Sequence, residues 1–307
     1  MVLAPIVLFV YNRFWHTKKT VEALLNNKFA SESELIVYSD AAKSNDSEAR
    51  EEVNYVRNYI RNVKGFKSIT LIERESNWGL SANIIDGVTT VVNSHGRVIV
   101  LEDDIVTSPA FLAFMNNALS FYEKQNKIWH ISGWNYPITV NGLDDAFFLR
   151  VMNCWGWATW VNRWENYSKD PFELLNNWSK TDIKNFDINN SGGFWRQVEA
   201  NANGQLNTWA VFWYSTIFKN DGLCLNPTVS YVNNIGHDGS GVNCNSTENY
   251  NIVKLNEKTD INFPMELSES ALAISRVEKF YASLKKPLIF RILRKLRRIV
   301  NFQVNKS

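Results

Sequence analysis

Glu102, Asp103 and Asp104 are three consecutive carboxylates in the run Arg97-Val-Ile-Val-Leu-Glu-Asp-Asp-Ile105. Carboxylates this close repel one another unless a cation or hydrogen-bond donors offset their charge. Mg2+ and Mn2+ prefer oxygen ligands, and Mg2+ is commonly held by one or two carboxylates together with substrate phosphates. The cluster therefore points to a divalent cation and a nucleoside diphosphate. Taken alone, the same residues also describe a solvated acidic turn, and their position separates the two readings. The preceding apolar run reads as a strand buried on both faces, as in a parallel sheet. In open α/β sheets, ligands sit beyond the carboxyl ends of such strands.

The elements that must carry these groups recur along the first 125 residues. Residues 6–10, 35–39, 69–72 and 98–101 are short apolar runs, whereas 16–27, 47–63, 81–93 and 109–124 have helical phasing or capping. Thr107 and Ser108 stand before Pro109 as cap and first-turn residues. Such alternation predicts a mostly parallel, Rossmann-like α/β sheet with right-handed crossovers. Parallel strands bring their carboxyl ends to one edge. Tyr11-Asn12-Arg13, Ser39-Asp40 and Asn77-Trp78-Gly79-Leu80-Ser81-Ala82-Asn83 then join the Glu-Asp-Asp cluster there. An Asp can accept from a base or ribose, an Arg can pair with phosphate and an aromatic can stack on a ring. Each also has an ordinary reading: Arg13 as a surface charge, Asp40 as a turn former, Gly79 as a helix-entry glycine. Neither the three-glycine dinucleotide pattern nor a Walker A lysine loop occurs, which argues against dehydrogenases and P-loop kinases.

Composition bounds the remaining classes. The chain has 307 residues, 45% of them hydrophobic, enough for one large domain or two small ones. Its 33 basic and 31 acidic residues leave a net +2, without the charge that announces a nucleic-acid partner. Cys154, Cys224 and Cys244 are odd in number and lack the close pairing of a zinc site, which fits free thiols in a reducing cytoplasm. Residues 1–10 are apolar but have no basic leader and run into Asn12 and Arg13, so they read as a first strand rather than a signal. No segment has the roughly 18 uninterrupted apolar residues of a membrane span.

Pro5-Ile-Val-Leu-Phe-Val-Tyr-Asn-Arg13, Asp40, residues 77–83 and Leu101-Glu-Asp-Asp104 resemble the nucleotide-sugar half of GT-A fold glycosyltransferases. Within that fold they look most like the branch with a Glu-Asp-Asp version of the DXD motif, which includes the N-acetylglucosaminyltransferase I type enzymes. Ile131-Ser-Gly-Trp-Asn135 is similar to that branch's Ser-Ala-Trp-Asn segment. Gly222-Leu223 to Asn234-Ile-Gly-His-Asp-Gly-Ser-Gly241 resembles the C-terminal segment of bacterial family 2-like sugar transferases. The resemblance covers residues 5–245 and implies a transferase domain over 1–285, with 1–125 binding the nucleotide sugar and 126–245 shaping the acceptor side. It implies Asp104 as a direct ligand of Mn2+ or Mg2+, with Glu102 and Asp103 at the ribose and the loop. Tyr11, Asn12, Arg13, Asp40, Trp78, Gly79 and Asn83 would meet the donor. His237 falls where many such enzymes place a histidine against metal or diphosphate. A neutral imidazole can ligate Mn2+ and a charged one can stabilise a leaving diphosphate. Gly236, Gly239 and Gly241 allow backbone amides to approach phosphate, although a lone His also reads as a hydrogen-bonded loop residue.

On the acceptor side, Trp129, Trp134, Trp155, Trp157, Trp160 and Trp164 crowd the middle of the chain. Aromatic faces pack on sugars and also fill cores, so most of these read as structural, with Trp134 and Trp155 as the acceptor candidates. Residues 201–205 read as a loop and 208–219 as a helix. Related transferases often place a catalytic Asp near the start of that helix, but Asn207-Thr208-Trp209-Ala210 carries no carboxylate. Inverting transfer needs a carboxylate to take the acceptor hydroxyl's proton. Asp238 is the first candidate, and Asp145 and Glu165 are alternatives.

From Pro287 onward, Leu288, Ile289, Ile292, Leu293, Leu296, Ile299 and Val300 fall on one helical face, and Arg291, Arg294, Lys295, Arg297 and Arg298 on the other. Such a helix over 286–303 predicts contact with an anionic membrane surface, and packing in a core or oligomer is the plainer alternative. The whole reading is a metal-dependent transferase, peripheral on the inner face of the cell membrane, that moves a sugar from a nucleotide diphosphate sugar to a lipid-linked glycan acceptor. A nucleotide-sugar-binding protein without turnover and a sugar nucleotidyltransferase are the other classes. The latter usually carries a Gly-rich basic loop where this chain has Tyr11-Asn-Arg-Phe-Trp15.

Overall fold

A computed structural model describes residues 2–239 and 254–284. Among these residues the strands are β1 (Ile6–Val10), β2 (Glu34–Ser39), β3 (Ser68–Glu73), β4 (Arg97–Glu102), β5 (Ile105–Thr107), β6 (Ile128–Ser132), β7 (Ala146–Leu149), β8 (Trp157–Trp160), β9 (Leu223–Pro227) and β10 (Val232–Asn234). The α-helices are α1 (Phe14–Leu25), α2 (Ser47–Asn62), α3 (Leu80–His95), α4 (Phe111–Phe121), α5 (Val161–Trp164), α6 (Pro171–Asn177), α7 (Lys180–Phe186), α8 (Phe194–Ala202), α9 (Ala210–Lys219) and α10 (Ala271–Leu284).

Eight strands form one sheet in the order β3-β2-β1-β4-β8-β6-β9-β7, flanked by helices. The β3-β2-β1-β4 half is wholly parallel, and beyond it β8 and β7 run against their neighbours while β6 and β9 pair in parallel. The mostly parallel α/β sheet expected from the sequence is therefore present. Val98, Ile99, Val100 and Leu101 are fully buried, as a strand flanked on both sides requires. The sheet crosses residue 125 without a break, since β4 pairs with β8. Its outer edge at β7 is covered: Ser270 N donates to Phe148 O at 2.9 Å, and α10 buries Ala273 and Val277. Covering an edge strand removes a template for pairing with another chain.

Three boundaries differ from the sequence reading. α1 starts at Phe14, and Arg13 is its N-cap residue. α4 starts at Phe111 rather than Pro109, and Thr107 belongs to β5, so Thr107 and Ser108 do not cap it. Its first turn is capped from outside, by Asn27 just past α1: Leu112 N donates to Asn27 Oδ1 at 2.9 Å, and Asn27 Nδ2 donates to Thr107 Oγ1 at 2.9 Å. The expected loop at 201–205 begins inside α8, which ends at Ala202. The segment 286–303, expected from the sequence as a basic helix, lies outside the described residues together with Gly241 and Cys244.

Candidate active site

The acidic turn joins β4 to β5, at the carboxyl end of the parallel half-sheet. Asp103 and Asp104 are buried, and Arg13 at the end of β1 reaches both. Its Nη2 pairs with Asp103 Oδ1 and lies 2.8 Å from Asp104 Oδ2, and its Nε donates to Asp103 Oδ2 at 3.3 Å. Burial works against the guanidinium's charge, but Asp103 and Asp104 outweigh it and push the Arg13 pKa up. Burial, with Asp104 and Asp103 adding repulsion, raises Glu102 well above the usual carboxylate range. Burial also raises Asp103, partly opposed by Arg13. Three carboxylates thus face one guanidinium, a local acidic excess that a divalent cation can offset.

The donor set fits a hard cation, because every candidate group on the turn presents carboxylate oxygen. Among the described residues, no three His, Cys, Asp or Glu side chains form a metal cage. A cation here would take one or two carboxylates, Asp104 first, and complete its shell with phosphate and water.

A late segment closes over the turn. β10 pairs antiparallel with β5, placing Asn234 opposite Ile105, and Ile235 N donates to Asp104 O at 2.9 Å. Gly236 then lies against the carboxylate: a Cβ on it would stand 2.1 Å from Asp104 Oδ2 and 3.1 Å from Arg13 Nη1. Only glycine leaves that space. His237 and Asp238 follow directly. Asp238 Oδ2 is 3.0 Å from Nε2 of the buried His16, one turn into α1. His237 meets the half-buried Trp155 edge to face, with centroids 5.2 Å apart, and Trp155 packs on Trp134 at 4.5 Å. Trp134 is only 2% exposed, so it backs Trp155 rather than offering a free face.

The β2 and β3 ends carry a neighbouring group of residues. Both Asp40 oxygens are held by nearby donors: Oδ1 accepts from Ala41 N and Trp78 N, each at 2.9 Å, and Oδ2 from Gly79 N at 2.8 Å and Asn77 Nδ2 at 3.2 Å. Asp40 is therefore the pin of the 77–79 loop. The Trp78 ring stands 44% exposed, with the Arg74 guanidinium 3.8 Å from its centroid. Asn83 is buried, accepting from Arg74 Nε at 2.9 Å and donating to Gly79 O at 3.1 Å. Asn12 points the other way and donates to Glu52 at 2.7 Å, while Tyr11 is half-buried at the end of β1.

The GNT-I family model matches residues 1–178, more than half of the chain. The chain belongs to the GNT-I family. This is the branch to which the Glu-Asp-Asp motif pointed, and the GT-A glycosyltransferase fold expected from the sequence stands with it. Among solved structures, S. aureus TarS residues 1-349 in complex with UDP-GlcNAc matches at 11% identity over 75% of this chain and 58% of that one, with a TM-score of 0.44. The mannosyltransferase PcManGT from Pyrobaculum calidifontis, in complex with GDP-Man and Mn2+, matches at 10% identity over 71% of this chain and 70% of that one, TM-score 0.40. Against another S. aureus TarS structure the match covers 43% of this chain at 16% identity and a TM-score of 0.31, spanning 21% of the TarS chain. No curated protein matches the sequence.

In this GNT-I family chain the other base candidates lie apart from the acidic turn. Asp145 precedes β7, four strands from β4, or roughly 19 Å at the usual strand spacing. Its oxygens accept from Lys258 Nζ at 2.8 Å and Asn262 N at 3.3 Å. Glu165 follows α5, whose first residue donates to Gly96 O beside the amino end of β4. Asn207, just before α9, and Ser81, in the first turn of α3, both accept from Lys169 Nζ, tying the start of α9 to the start of α3. His16 and Lys169 were not singled out from the sequence, and Gly236 was read as room for phosphate rather than as room for the Asp104 carboxylate. His16 carried one available signal, its place within four residues of a strand end already assigned to the site. Most of the tryptophans are core: Trp157 stacks on Trp209 and His130, and Trp129, Trp160 and Trp164 are buried.

Proposed function

We propose that this protein is a metal-dependent glycosyltransferase that moves a hexosyl or N-acetylhexosaminyl group from a nucleoside diphosphate sugar to a glycan hydroxyl, with inversion. The observation that carries the reading is the convergence of Arg13, Asp104 and Gly236 at one point. A basic side chain from the first strand end, an acidic turn from the fourth and a glycine-containing late segment meet there in van der Waals contact. Asp104, with Glu102 beside it, would hold Mn2+ or Mg2+, and a bound cation would supply charge stabilisation for the departing diphosphate. Arg13 supplies a second positive charge at the same place, and His237 directly follows Gly236 in the chain. Tyr11, Trp78 and Gly79 border the donor, and Asp40 and Asn83 hold the 77–79 loop.

In this reading Asp238 takes the proton of the attacking hydroxyl, with His16 fixing the orientation of its carboxylate. Trp155 lines the acceptor side, backed by Trp134. The acceptor is a lipid-linked surface-polysaccharide intermediate, and the basic, apolar-patterned sequence of residues 286–303 holds the protein on the inner face of the cell membrane. No helix among the described residues is long and apolar enough to cross a membrane. A binding protein without turnover is favoured by one feature, the absence of a carboxylate in Asn207-Thr208-Trp209-Ala210.

A panel of nucleotide sugars, each with and without Mn2+, tests the reading by thermal stabilisation and by release of nucleoside diphosphate. At least one sugar should stabilise the protein only with metal and be slowly hydrolysed. Stabilisation without any hydrolysis or transfer would favour the binding protein, and no stabilisation by any member would sink both.

A further inference from the structure

Three large side chains that a soluble protein would ordinarily tuck away collect at the junction of α1 and α2. Phe14, Trp15 and Tyr55 are 43%, 55% and 65% exposed. With Asn12, Arg13, His16 and Glu52 they line a cavity of about 700 Å³. Single exposed apolar residues need no explanation, but a cluster rimmed by polar groups marks a binding surface. Tyr11, Asp40, Trp78 and Gly79 take no part in its lining, whereas Arg13 and His16 do, so it opens beside the acidic turn rather than at the β2 and β3 ends.

The lining chemistry selects the occupant. Arg13 enters the lining already paired with Asp103 and Asp104, and the lining's own acid, Glu52, disfavours phosphate beside the aromatic rings and accepts hydroxyl donors. The Asn12 amide, already donating to Glu52 at 2.7 Å, completes a paired donor and acceptor. Aromatic faces beside an amide and a carboxylate complement a pyranose, which has an apolar C–H face and a rim of hydroxyls. Location supplies the role. Trp15 stands edge-on to His16 with centroids 5.0 Å apart, and His16 Nε2 lies 3.0 Å from Asp238. A sugar on Trp15 is therefore one residue from the proposed base.

We propose that this cavity is an acceptor-sugar subsite, in which Trp15 and Tyr55 stack on a pyranose of the glycan and Asn12 and Glu52 hold its hydroxyls. Its catalytic role rests on the glycosyltransferase reading, whereas its binding chemistry does not. Saturation-transfer NMR without donor tests it, using methyl β-D-glucopyranoside, methyl β-D-galactopyranoside and methyl N-acetyl-β-D-glucosaminide. At least one should receive saturation on its ring C–H protons. Trp15→Ala and Tyr55→Ala should each weaken that ligand about tenfold, and Trp15→Phe should restore most of the loss. Both side chains are largely in solvent, so the variants should fold, and the wild-type measurement depends on no variant.

UDP and GDP with Mn2+ should bind wild type and Trp15→Ala alike. No saturation of any of the three glycosides, or saturation that Trp15→Ala leaves intact, overturns the proposal. Loss of UDP or GDP affinity in Trp15→Ala with glycoside binding kept also overturns it and makes the cavity a nucleobase pocket. If glycosides bind through Trp15 but neither nucleotide binds wild type, the glycosyltransferase reading fails while the sugar site stands.

Discussion

Asp104 is crowded by two partners with opposite demands, and that crowding gives the sharpest expectations at the level of single residues. Arg13 offsets its charge at 2.8 Å, and Gly236 leaves its Oδ2 no room for a Cβ. Asp104→Ala should abolish Mn2+-dependent binding of a nucleotide sugar, removing several kcal/mol of transition-state stabilisation, while Arg13 keeps its pairing with Asp103 and the fold persists. Gly236→Ala should give the same loss by displacing the carboxylate, with the acidic groups all still present. Calorimetry with and without Mn2+ on the two variants checks both, and full metal-dependent binding by either folded variant would remove Asp104 from the metal site. A second expectation concerns proton transfer. Asp238→Asn keeps the size and the approach to His16 but cannot accept a proton, so acceptor-dependent turnover should drop by about 10² or more with donor affinity retained. Unchanged turnover in Asp238→Asn, with loss in Asp145→Asn or Glu165→Gln, would move the base to one of those residues.

Helix α4 shows how elements depend on partners far away in the chain. Its own N-cap residue, Ala110, contributes no side-chain bond, and Asn27 serves Leu112 N and Thr107 Oγ1 instead. Asn27→Ala should therefore destabilise the protein by about 1–3 kcal/mol, since it strips a cap and leaves a buried hydroxyl short of a donor. Urea unfolding measures it, and a change under about 0.5 kcal/mol would mean that water replaces the amide. The same helix explains why the sequence reading set its start too early: Thr107-Ser108-Pro109 has the composition of a local cap, but a cap supplied across 85 residues leaves no mark in the local pattern. β1, by contrast, was legible to the residue, because five buried apolar side chains end abruptly at Tyr11. The site divides along the same line. Groups at strand ends, such as Arg13 and Glu102 to Asp104, are legible because parallel topology brings strand ends together. The His16 contact with Asp238 spans 222 residues, and the clearance at Gly236 depends on a two-stranded ladder of three residue pairs, so neither is written in any local spacing. Asp40 was legible at its strand end, but its hold on the 77–79 loop was not, since three of its four donors lie 37–39 residues away.

Across the described residues, one continuous sheet runs from β3 to β7, so a proton bound in the middle of it is felt throughout. His130, on β6, is fully buried, donates from Nε2 to Asn153 O at 2.9 Å and accepts at Nδ1 from Trp213 Nε1 at 3.2 Å. Burial pushes its pKa down to about 3, below the ordinary 6.5. The unfolded chain therefore takes up the proton first, so stability is level above pH 6.5 and falls as pH drops from 6.5 towards 3, by at most about 1.4 kcal/mol per unit. His130→Gln, which can keep one donor and one acceptor, should flatten that slope in urea titrations between pH 4 and 6.5, and an unchanged slope would assign the acid sensitivity to other groups. The final expectation concerns where the molecule sits. A net charge of +2 gives it no overall attraction to an anionic surface, yet Arg291, Arg294, Lys295, Arg297 and Arg298 concentrate five cations beside an apolar stripe, in a segment outside the described residues. Each cation near an anionic lipid surface contributes about 1 kcal/mol before screening, so the full chain should bind anionic vesicles and release as salt rises. Truncation after Lys286 should abolish vesicle binding yet leave transfer to a soluble acceptor analogue intact, because the described span of α10, Ala271–Leu284, already covers the sheet edge and precedes the cut. A truncated protein that unfolds, or changes its oligomeric state in sedimentation, would show the segment to be part of a core or an interface and would end the membrane assignment.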